Sequence, residues 1–324
     1  MSISRREVLL GGAALMMAPA PPAHGAGATV VGGPAFGSYW RLAVPDTASA
    51  PHAGEAVQAV VSAIDASMSP YRSTSALSRF NLARTTDWIP LPEEVCVLVA
   101  ASLGVATATE GAFDPTVGPM VGRYGFGPII EGSTTGSYRG LEVAEGAVRK
   151  TSSDLTLDLC GIAKGYALDR AADALAAIGE SDFLLELGGE VLARGAHPSG
   201  RPWQVGVETP FAPAGTIGHL VRPASLALAT SGPATQSYEV EGRIYSHVVD
   251  PRLHALADGS IASVTVMMPT GVAADAYATA LMAMGAADAI PFAELRAIRA
   301  LFQLWTGGSL SERTTAGFNE FIET

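Results

Sequence analysis

Short strand signals joined by tight, glycine-containing turns recur along this sequence, and single helical segments separate them. Such turns stand at Phe36-Gly37-Ser38, Gly188-Gly189 and Glu241-Gly242, each between two apolar runs. Pairs of this kind predict β-hairpins, whose strands are antiparallel neighbours. Apolar residues at helical spacing predict helices over residues 54–68, 92–109, 162–178 and 271–284. The pattern therefore predicts a mixed α/β chain of the α+β class, with a largely antiparallel sheet and flanking helices in one compact unit, and it argues against a doubly wound parallel sheet.

Charge and cysteine content narrow the range of functions. The chain has 20 basic and 31 acidic side chains among 324 residues, which gives a net charge of −11. This balance argues against a nucleic-acid partner, because such a binder presents a basic face to phosphates. Two cysteines, Cys96 and Cys160, are too few for a disulfide framework or a thiolate zinc site. Lys150 and Lys164 are the only lysines, so every other basic residue is arginine.

The first 27 residues have the pattern of an export signal. Arg5 and Arg6 precede an apolar run over residues 8–18, and small residues follow. This order is typical of a signal peptide, and the stretch Ser-Arg-Arg-Glu-Val-Leu is similar to a twin-arginine signal. The alternative is a general secretion signal that happens to contain two arginines. We expect a periplasmic protein in which residues 28–324 form one domain without a membrane span, since no later run reaches about 18 apolar residues.

One stretch suits a phosphate group, although the P-loop, the G-x-G-x-x-G fingerprint and the G-x-S-x-G elbow are all absent. A predicted strand over 155–159 runs straight into the helix over 162–178, and free amides at a helix start favour an anion. Lys164 falls in the first helical turn, where the helix dipole opposes a cation. A bound anion would explain this lysine, and an exposed lysine tolerated at a small cost is the alternative.

A second stretch suits a metal ion. Asp275 and Thr279 stand four residues apart on the helix over 271–284, so they share one face. Carboxylate and hydroxyl oxygens together suit a hard cation such as Mg²⁺. The alternative is an aspartate that complements the dipole of its own helix, with a threonine hydroxyl bonded back to a carbonyl.

Three further segments present polar or aromatic groups. Residues 67–81 form a predicted loop that carries Tyr71. Asp114 precedes a proline, where an Asx-turn is the simpler explanation. His247 and Asp250 follow a predicted hairpin strand, which places an imidazole and a carboxylate near a loop.

Taken together, these stretches resemble the ApbE-type FAD:protein FMN transferases. The matching stretches occur in the family's order and spacing: 67–81, 111–119, 158–166, 187–190 (Leu-Gly-Gly-Glu), 230–232, 246–252 and 274–281. The resemblance covers nearly the whole chain after the signal and implies a T-fold-like architecture. It also implies an enzyme that uses Mg²⁺ to transfer FMN from FAD to a threonine hydroxyl of an exported flavoprotein, releasing AMP. Among exported relatives, NosX-like members serve respiratory flavoproteins of nitrous oxide reduction.

The resemblance implies roles for individual residues. The flavin nucleotide would contact Phe36, Tyr71, Ala112, Phe113, Asp114, Cys160, Tyr166 and Val249. The metal would be held by the Ala163 carbonyl, the Asp275 carboxylate and the Thr279 hydroxyl. His247 matches the family's active-site histidine and would handle the proton, because histidine titrates near neutral pH. Asp250 would orient His247 or act as the base itself.

Two other functions stay open beside the transferase. One is an FAD pyrophosphatase, in which water replaces the threonine and free FMN is released. The other is a non-catalytic periplasmic FAD carrier or assembly factor. The sequence departs from the family pattern at four places. Phe36 replaces a common methionine, and Cys160 replaces glycine or serine. Residues 233–237 and Leu253-His254 differ where the acceptor or the AMP end is expected, and the change at 233–237 favours the carrier.

Overall fold

The computed structural model describes residues 27–232, 237–240, 243–246, 248–306 and 308–323. Strands β1 to β17 are, in chain order, Thr29–Ala35, Ser38–Val44, Ile89–Pro90, Leu141–Ala144, Ala147–Lys150, Phe183–Leu187, Glu190–Arg194, Val205–Glu208, Ile217–Val221, Ala227–Ser231, Ser237–Val240, Arg243–Ser246, Val249–Asp250, Ala255–Leu256, Ile261–Met268, Arg299–Thr306 and Ser309–Thr315. Eight of them form one sheet in the order β1-β2-β6-β7-β10-β15-β16-β17. Every neighbouring pair in this sheet is antiparallel, as the hairpin pattern predicted.

Helices α1 to α7 of the described residues are Ala50–Met68, Ala76–Leu82, Glu93–Ala108, Gly118–Arg123, Ala163–Ala177, Gly271–Met284 and Ala286–Leu295. Helix α5 contacts α1, α6, β6 and β7, and α6 contacts β10 and β15. Alternation along β15 explains why the sheet can be covered on both faces: Val264 and Val266 join the large core with the helices, whereas Met267 joins a smaller core on the other face. Within the described residues, no helix is long and apolar enough to cross a membrane.

The predicted hairpin turns are present where the structure describes them. Phe36 and Gly37 adopt φ values of 49° and 77° between β1 and β2, and Gly188 and Gly189 adopt 62° and 104° between β6 and β7. Residues 241–242 lie outside the described residues, although β11 and β12 on either side of them pair with each other. Helices α5 and α6 agree to within one residue with the predicted helices over 162–178 and 271–284.

Two local predictions are wrong, and their causes are connected. Part of the predicted loop over 67–81 is the short helix α2, whose N-cap Ser75 accepts a hydrogen bond from the Ser78 N–H at 2.9 Å. The segment 155–159 forms no strand, because its backbone bonds to other partners. The side chain of Asn81 donates to the Leu157 carbonyl oxygen at 2.8 Å and accepts from the Leu157 N–H at 2.7 Å. Helix α2 therefore fastens the segment that leads into α5.

The final helix, α7, is short and is followed by a break in the helical backbone. Helix α7 ends at Leu295, and Ala297 then adopts a φ of 51°, which breaks the helical path. The chain continues directly into β16. A final strand, β17, and the three-stranded sheet of β3, β5 and β4 are elements that periodicity did not reveal.

Candidate active site

Helices α5 and α6 touch at their starts. A Cβ atom at Gly165 would lie 2.1 Å from the Gly271 carbonyl oxygen, and one at Gly271 would lie 2.4 Å from the Gly165 carbonyl oxygen, so the contact requires glycine at both places. Asp169 fastens the same crossing. Its Oδ1 accepts the Gly271 N–H at 2.6 Å and its Oδ2 accepts the Val272 N–H at 3.0 Å. The two helices are therefore held in one relative position.

Asp275 projects from the second turn of α6 toward the start of α5. Its Oδ2 accepts the N–H of Gly165 at 2.9 Å, and the residue is buried. Burial raises the pKa of Asp275, and the Lys164 ammonium together with the amides of Lys164 and Gly165 opposes that rise. The carboxylate thus complements the dipole of the neighbouring helix α5, so the interpretation that it serves the dipole of its own helix is wrong.

Thr279 lies one turn further along α6 and faces the same helix start. Its hydroxyl donates to the Gly161 carbonyl oxygen at 3.4 Å. Ala163, the first residue of α5, lies in sequence between Gly161 and Gly165, which contact Thr279 and Asp275 respectively. The structure therefore brings Asp275 and Thr279 to the helix start that contains Ala163, the third predicted metal ligand. The described residues contain no group of three or more His, Cys, Asp or Glu that could hold a metal ion, so a metal here would need hydroxyl and carbonyl oxygens as well.

Lys164 lies in the first turn of α5 and forms an ion pair with Glu190, the first residue of β7. The Glu190 side chain is 2 % exposed and that of Lys164 is 33 % exposed. Burial alone would lower the pKa of Lys164, but the negative charges of Glu190 and Asp275 outweigh it and raise this pKa above its ordinary value. The alternative of an exposed lysine without a partner is wrong, because the ammonium pairs with one carboxylate and feels a second.

The amides at the start of α5 already have acceptors. The N–H groups of Ile162 and Ala163 donate to the Leu159 carbonyl oxygen at 3.1 and 2.8 Å, and that of Gly165 donates to Asp275. The anion at this helix start is therefore a carboxylate of the chain itself. This corrects the prediction that free amides here would receive a phosphate, and a phosphate bound at this place would depend on side-chain or metal charge.

Tyr71 and Cys160 border the start of α5. The pKa of Tyr71 is raised by burial and by the charges of Cys160 and Asp158, so its hydroxyl lies near both residues, although the side chain as a whole is exposed. Cys160 is also exposed, and its N–H donates to Asp158 Oδ1 at 2.9 Å. Two of the predicted flavin contacts are thus adjacent to the predicted metal ligands.

Phe113 lies at the same helix start, close to Gly161. A Cβ atom at Gly161 would lie 3.2 Å from Cε2 of the Phe113 ring and 3.1 Å from Thr279 Oγ1. Both Phe113 and the preceding Ala112 are buried. The absence of a side chain at Gly161 lets the aromatic ring and the threonine approach from two directions.

Asp114 forms the Asx-turn that was the simpler explanation for it. Its Oδ1 accepts the N–H and the hydroxyl of Thr116 at 2.8 and 2.7 Å, and its Oδ2 accepts the Tyr138 N–H at 2.9 Å. Burial raises the pKa of Asp114, and these hydrogen bonds oppose the rise. The carboxylate is therefore occupied within its own loop, where it fixes the position of Phe113.

Val249 and Asp250 form the short strand β13, which pairs with β14 and contacts α6. Both residues are buried. The carboxylate of Asp250 accepts from Arg252 through both oxygens, at 3.0 Å from Nε and 2.8 Å from Nη2. A carboxylate held in this way anchors a turn. His247 lies outside the described residues.

Phe36 and Tyr166 lie on different elements, the β1–β2 turn and helix α5. Phe36 is in the turn between β1 and β2, at the sheet edge that also carries the Gly188-Gly189 turn, because β2 pairs with β6. The pKa of Tyr166 is raised by burial and by the charge of Glu94 on α3, which places its hydroxyl on the α3 side of α5.

Two residues at this site had no role in the sequence analysis. Glu190 stands in the Leu-Gly-Gly-Glu stretch, where an acid directly after a glycine turn was a usable signal. Asp169 is a single acidic residue in a helical pattern, and nothing local distinguishes it from an exposed one. Both act through partners that are distant in sequence, at Lys164 and Gly271.

A carboxylate, a hydroxyl and an ammonium therefore converge on a helix start that aromatic rings border. Oxygen ligands suit a hard divalent cation, and aromatic rings suit a planar ring system. A nucleotide with phosphate groups has both kinds of chemistry, a planar ring and oxygens that a cation can bind.

Known proteins show the same combination of sequence and fold. The sequence profile of the ApbE family matches residues 36–302. The FAD:protein FMN transferase of Klebsiella pneumoniae is 34 % identical over 296 residues, which cover 86 % of this chain and 84 % of that protein. The protein of the same name from Escherichia coli is 31 % identical over 309 residues, 88 % of either chain. The chain belongs to the ApbE family.

Solved structures agree with this assignment. The flavin transferase ApbE from Vibrio cholerae has a TM-score of 0.81 and 27 % identity, covering 91 % of this chain and 99 % of that one. The apo form of Pseudomonas stutzeri flavinyl transferase ApbE has a TM-score of 0.82 and 29 % identity, covering 91 % and 96 %. The predicted fold class, the family and the assignment to the transferase class of enzymes are confirmed.

Proposed function

We propose that this protein transfers FMN from FAD to a threonine hydroxyl of an exported flavoprotein, with release of AMP and a requirement for Mg²⁺. The observation that carries the proposal is the convergence of Asp275 and Thr279 on the start of α5. The relatives named FAD:protein FMN transferase support it, because they match over most of both chains.

The oxygen ligands at this place fit Mg²⁺. The Asp275 carboxylate, the Thr279 hydroxyl and the Ala163 carbonyl would hold the ion, and these are the hard donors that it prefers. When bound, the ion would polarise the FAD diphosphate and offset its negative charge. Charge compensation is needed here, because Glu190 and Asp275 are already present at this site.

The transfer is a displacement at phosphorus. The threonine oxygen of the acceptor forms a bond to the FMN-side phosphorus, and the bond from that phosphorus to the bridging oxygen breaks. AMP leaves with the bonding electron pair. The proton of the threonine hydroxyl goes to a base, for which we propose His247. Asp250 holds the turn that follows His247 through its two contacts with Arg252, which supports an orienting role rather than that of the base.

The flavin nucleotide would lie along the start of α5. Tyr71, Cys160 and Phe113 lie around this helix start, and Ala112 and Asp114 belong to the loop that carries Phe113. Tyr166 belongs to α5 itself, and Phe36 and Val249 belong to the β1–β2 turn and β13; all three would contact FAD from these elements. Exposed Tyr71 offers a free aromatic face for a planar ring.

We also propose that residues 1–27 direct export to the periplasm, where the acceptor flavoprotein would be found. The pair Arg5-Arg6 ahead of an apolar run supports a twin-arginine signal. Fusing residues 1–27 to a reporter and changing both arginines to lysine should abolish its export. Unchanged export would favour a general secretion signal.

The transferase proposal is tested with the purified protein, FAD, MgCl₂ and a flavoprotein acceptor that carries a target threonine. The expected product is covalent FMN on the acceptor, seen as flavin fluorescence in a denaturing gel, with one AMP released per FMN transferred. An acceptor with threonine replaced by alanine is the control. Free FMN without acceptor labelling would indicate the pyrophosphatase, and tight FAD binding without AMP would indicate the carrier.

A further inference from the structure

Lys164 lies at a position where the fold does not require a cation. It lies in the first turn of α5, and the dipole at a helix start opposes positive charge. Its ammonium pairs with Oε1 of Glu190 and also feels the charge of Asp275, on a different element. Three distant segments of the chain thus contribute to one small charged cluster.

The Lys164–Glu190 pair is poorly explained by stability. Oε2 of Glu190 is buried and has no hydrogen-bond partner among the described residues. A buried ion pair with an unsatisfied oxygen contributes little or nothing net to folding, and well-packed neutral side chains often replace such pairs without loss. A role in binding accounts for the pair better than a role in folding does.

The neighbouring groups leave Lys164 as the source of positive charge at this place. The amides of Ile162, Ala163 and Gly165 already have acceptors within the protein. An ammonium has three N–H donors, and the bond to Glu190 uses one of them. One third of the Lys164 side chain is exposed, whereas Glu190 is enclosed behind it. The Lys164 side chain is therefore partly accessible, at a place where its ammonium also feels the charge of Asp275.

We propose that Lys164 binds a phosphate oxygen of the FAD diphosphate, and that Glu190 is a positioning residue that holds the ammonium in place. The ligand class is a nucleoside diphosphate. The inference rests on the proposed function for its substrate. In the transfer, Lys164 would stabilise the negative charge that AMP carries as it leaves.

The test separates phosphate binding from folding. In Lys164→Met/Glu190→Gln both charges are removed with little change in shape, so no buried charge is left unpaired. We expect its melting temperature to match that of the wild type. By isothermal titration calorimetry with MgCl₂, its affinity for ADP should fall about 10- to 100-fold, while riboflavin, which has no phosphate, binds as before. The rate of FMN transfer should fall by a similar factor.

Arg170→Gln is the matched control, because it removes a positive charge from the exposed face of the same helix. It should leave both affinities unchanged. Glu190→Gln alone keeps the lysine but loosens it, and should weaken ADP binding by less than the double variant does. This single variant also decides the matter if the double variant does not fold.

Two results would overturn the proposal. One is ADP affinity within twofold of the wild type in both variants, and the other is an equal loss of ADP and riboflavin affinity, which would mean that the whole site has collapsed. A wild-type protein that binds ADP and riboflavin but transfers no FMN would instead overturn the proposed function. The ADP affinities of the wild type and the variants would still test the role of Lys164.

Discussion

Lys150 and Lys164 are the two lysines of the chain, and their surroundings differ in every respect that matters for charge. Lys150 lies on β5, fully buried, with its Nζ 2.7 Å from the Ala83 carbonyl oxygen and 5.0 Å from the centre of the Phe80 ring. Burial and the nearby Arg84 charge lower its pKa to about 8, whereas the pKa of Lys164 is raised by its carboxylate neighbours.

The difference teaches that the partners of a lysine ammonium reveal its role. Ala83 caps the C-terminal end of α2, where the helix dipole favours a cation, so the fold itself accounts for Lys150. Lys164 stands at a helix start, where the dipole opposes it, and is kept charged by acids brought from β7 and α6. The first region is a structural anchor and the second a site prepared for a ligand.

The largest effect should come from the carboxylate beside Lys164. Asp275→Ala should reduce Mg²⁺-dependent FMN transfer about 1000-fold, because it removes the charged metal ligand. The rate is measured across a titration of MgCl₂. Asp173→Ala, which removes an exposed carboxylate from α5, should keep the wild-type rate. Full turnover in Asp275→Ala would remove this residue from the metal site.

The next effect concerns stability and tests the Lys164 side of the comparison directly. Lys164→Met leaves Glu190 buried without its counter-charge, which should lower the free energy of unfolding at pH 7 by about 3–5 kcal/mol. Adding Glu190→Gln should restore most of it. Urea unfolding of the two variants measures both values. A loss below about 1 kcal/mol in the single variant would mean that the ion pair is not a coupled unit.

The corresponding experiment on Lys150 measures the free energy of unfolding as a function of pH. Its pKa is about 8 in the folded protein and 10.5 ordinarily, so the unfolded state binds more protons between these values. Wild-type stability should therefore rise by up to about 3 kcal/mol as pH increases from 8 to 10.5, because the cost of burying the charge is then removed.

The control for this prediction is Lys150→Met, which has no ammonium to bury and should lack the rise. The difference between the two proteins isolates Lys150 from the other groups that titrate in the same window. Parallel stability curves would show that Lys150 titrates as an ordinary exposed lysine, and the contrast with Lys164 would then fail.

The smallest effect should come from Asn81, which joins the Lys150 region to the segment before α5. Asn81→Ala leaves the N–H and carbonyl of Leu157 without these partners and should cost about 1–2 kcal/mol of stability. Asn319→Ala, at an exposed position, is the control and should cost little. Equal values for the two variants would show that the clamp on Leu157 is unimportant.

The sequence predicted those parts of the fold that depend on local pattern. Helices α5 and α6 have apolar residues at regular spacing, and the β6–β7 turn has two glycines. Helix α2 was not predictable, because it has only seven residues and a distant lysine caps its end.

The features of the site likewise fall into those that the sequence predicts and those that it does not. Asp275 and Thr279 are visible from their spacing on one helix. The long-range contacts of the site are not visible in the sequence, because Asp275 and Gly165 are 110 residues apart and Lys164 and Glu190 are 26 apart. The amides at the start of α5 seemed free for a phosphate because nothing near them in sequence indicated that Asp275 would occupy one of them.

The contact between Gly165 and Gly271 has a consequence for how this chain can vary. Every single-base change that alters a glycine codon introduces a side chain or ends the chain, and at either position a side chain would collide with the backbone of the other helix. The spacing of the two helices at this crossing, and so of the groups that face each other across it, therefore depends on two residues that have no side chain. Genetic screens for loss of activity should therefore recover changes at residues 165 and 271 alongside changes at the chemical groups themselves.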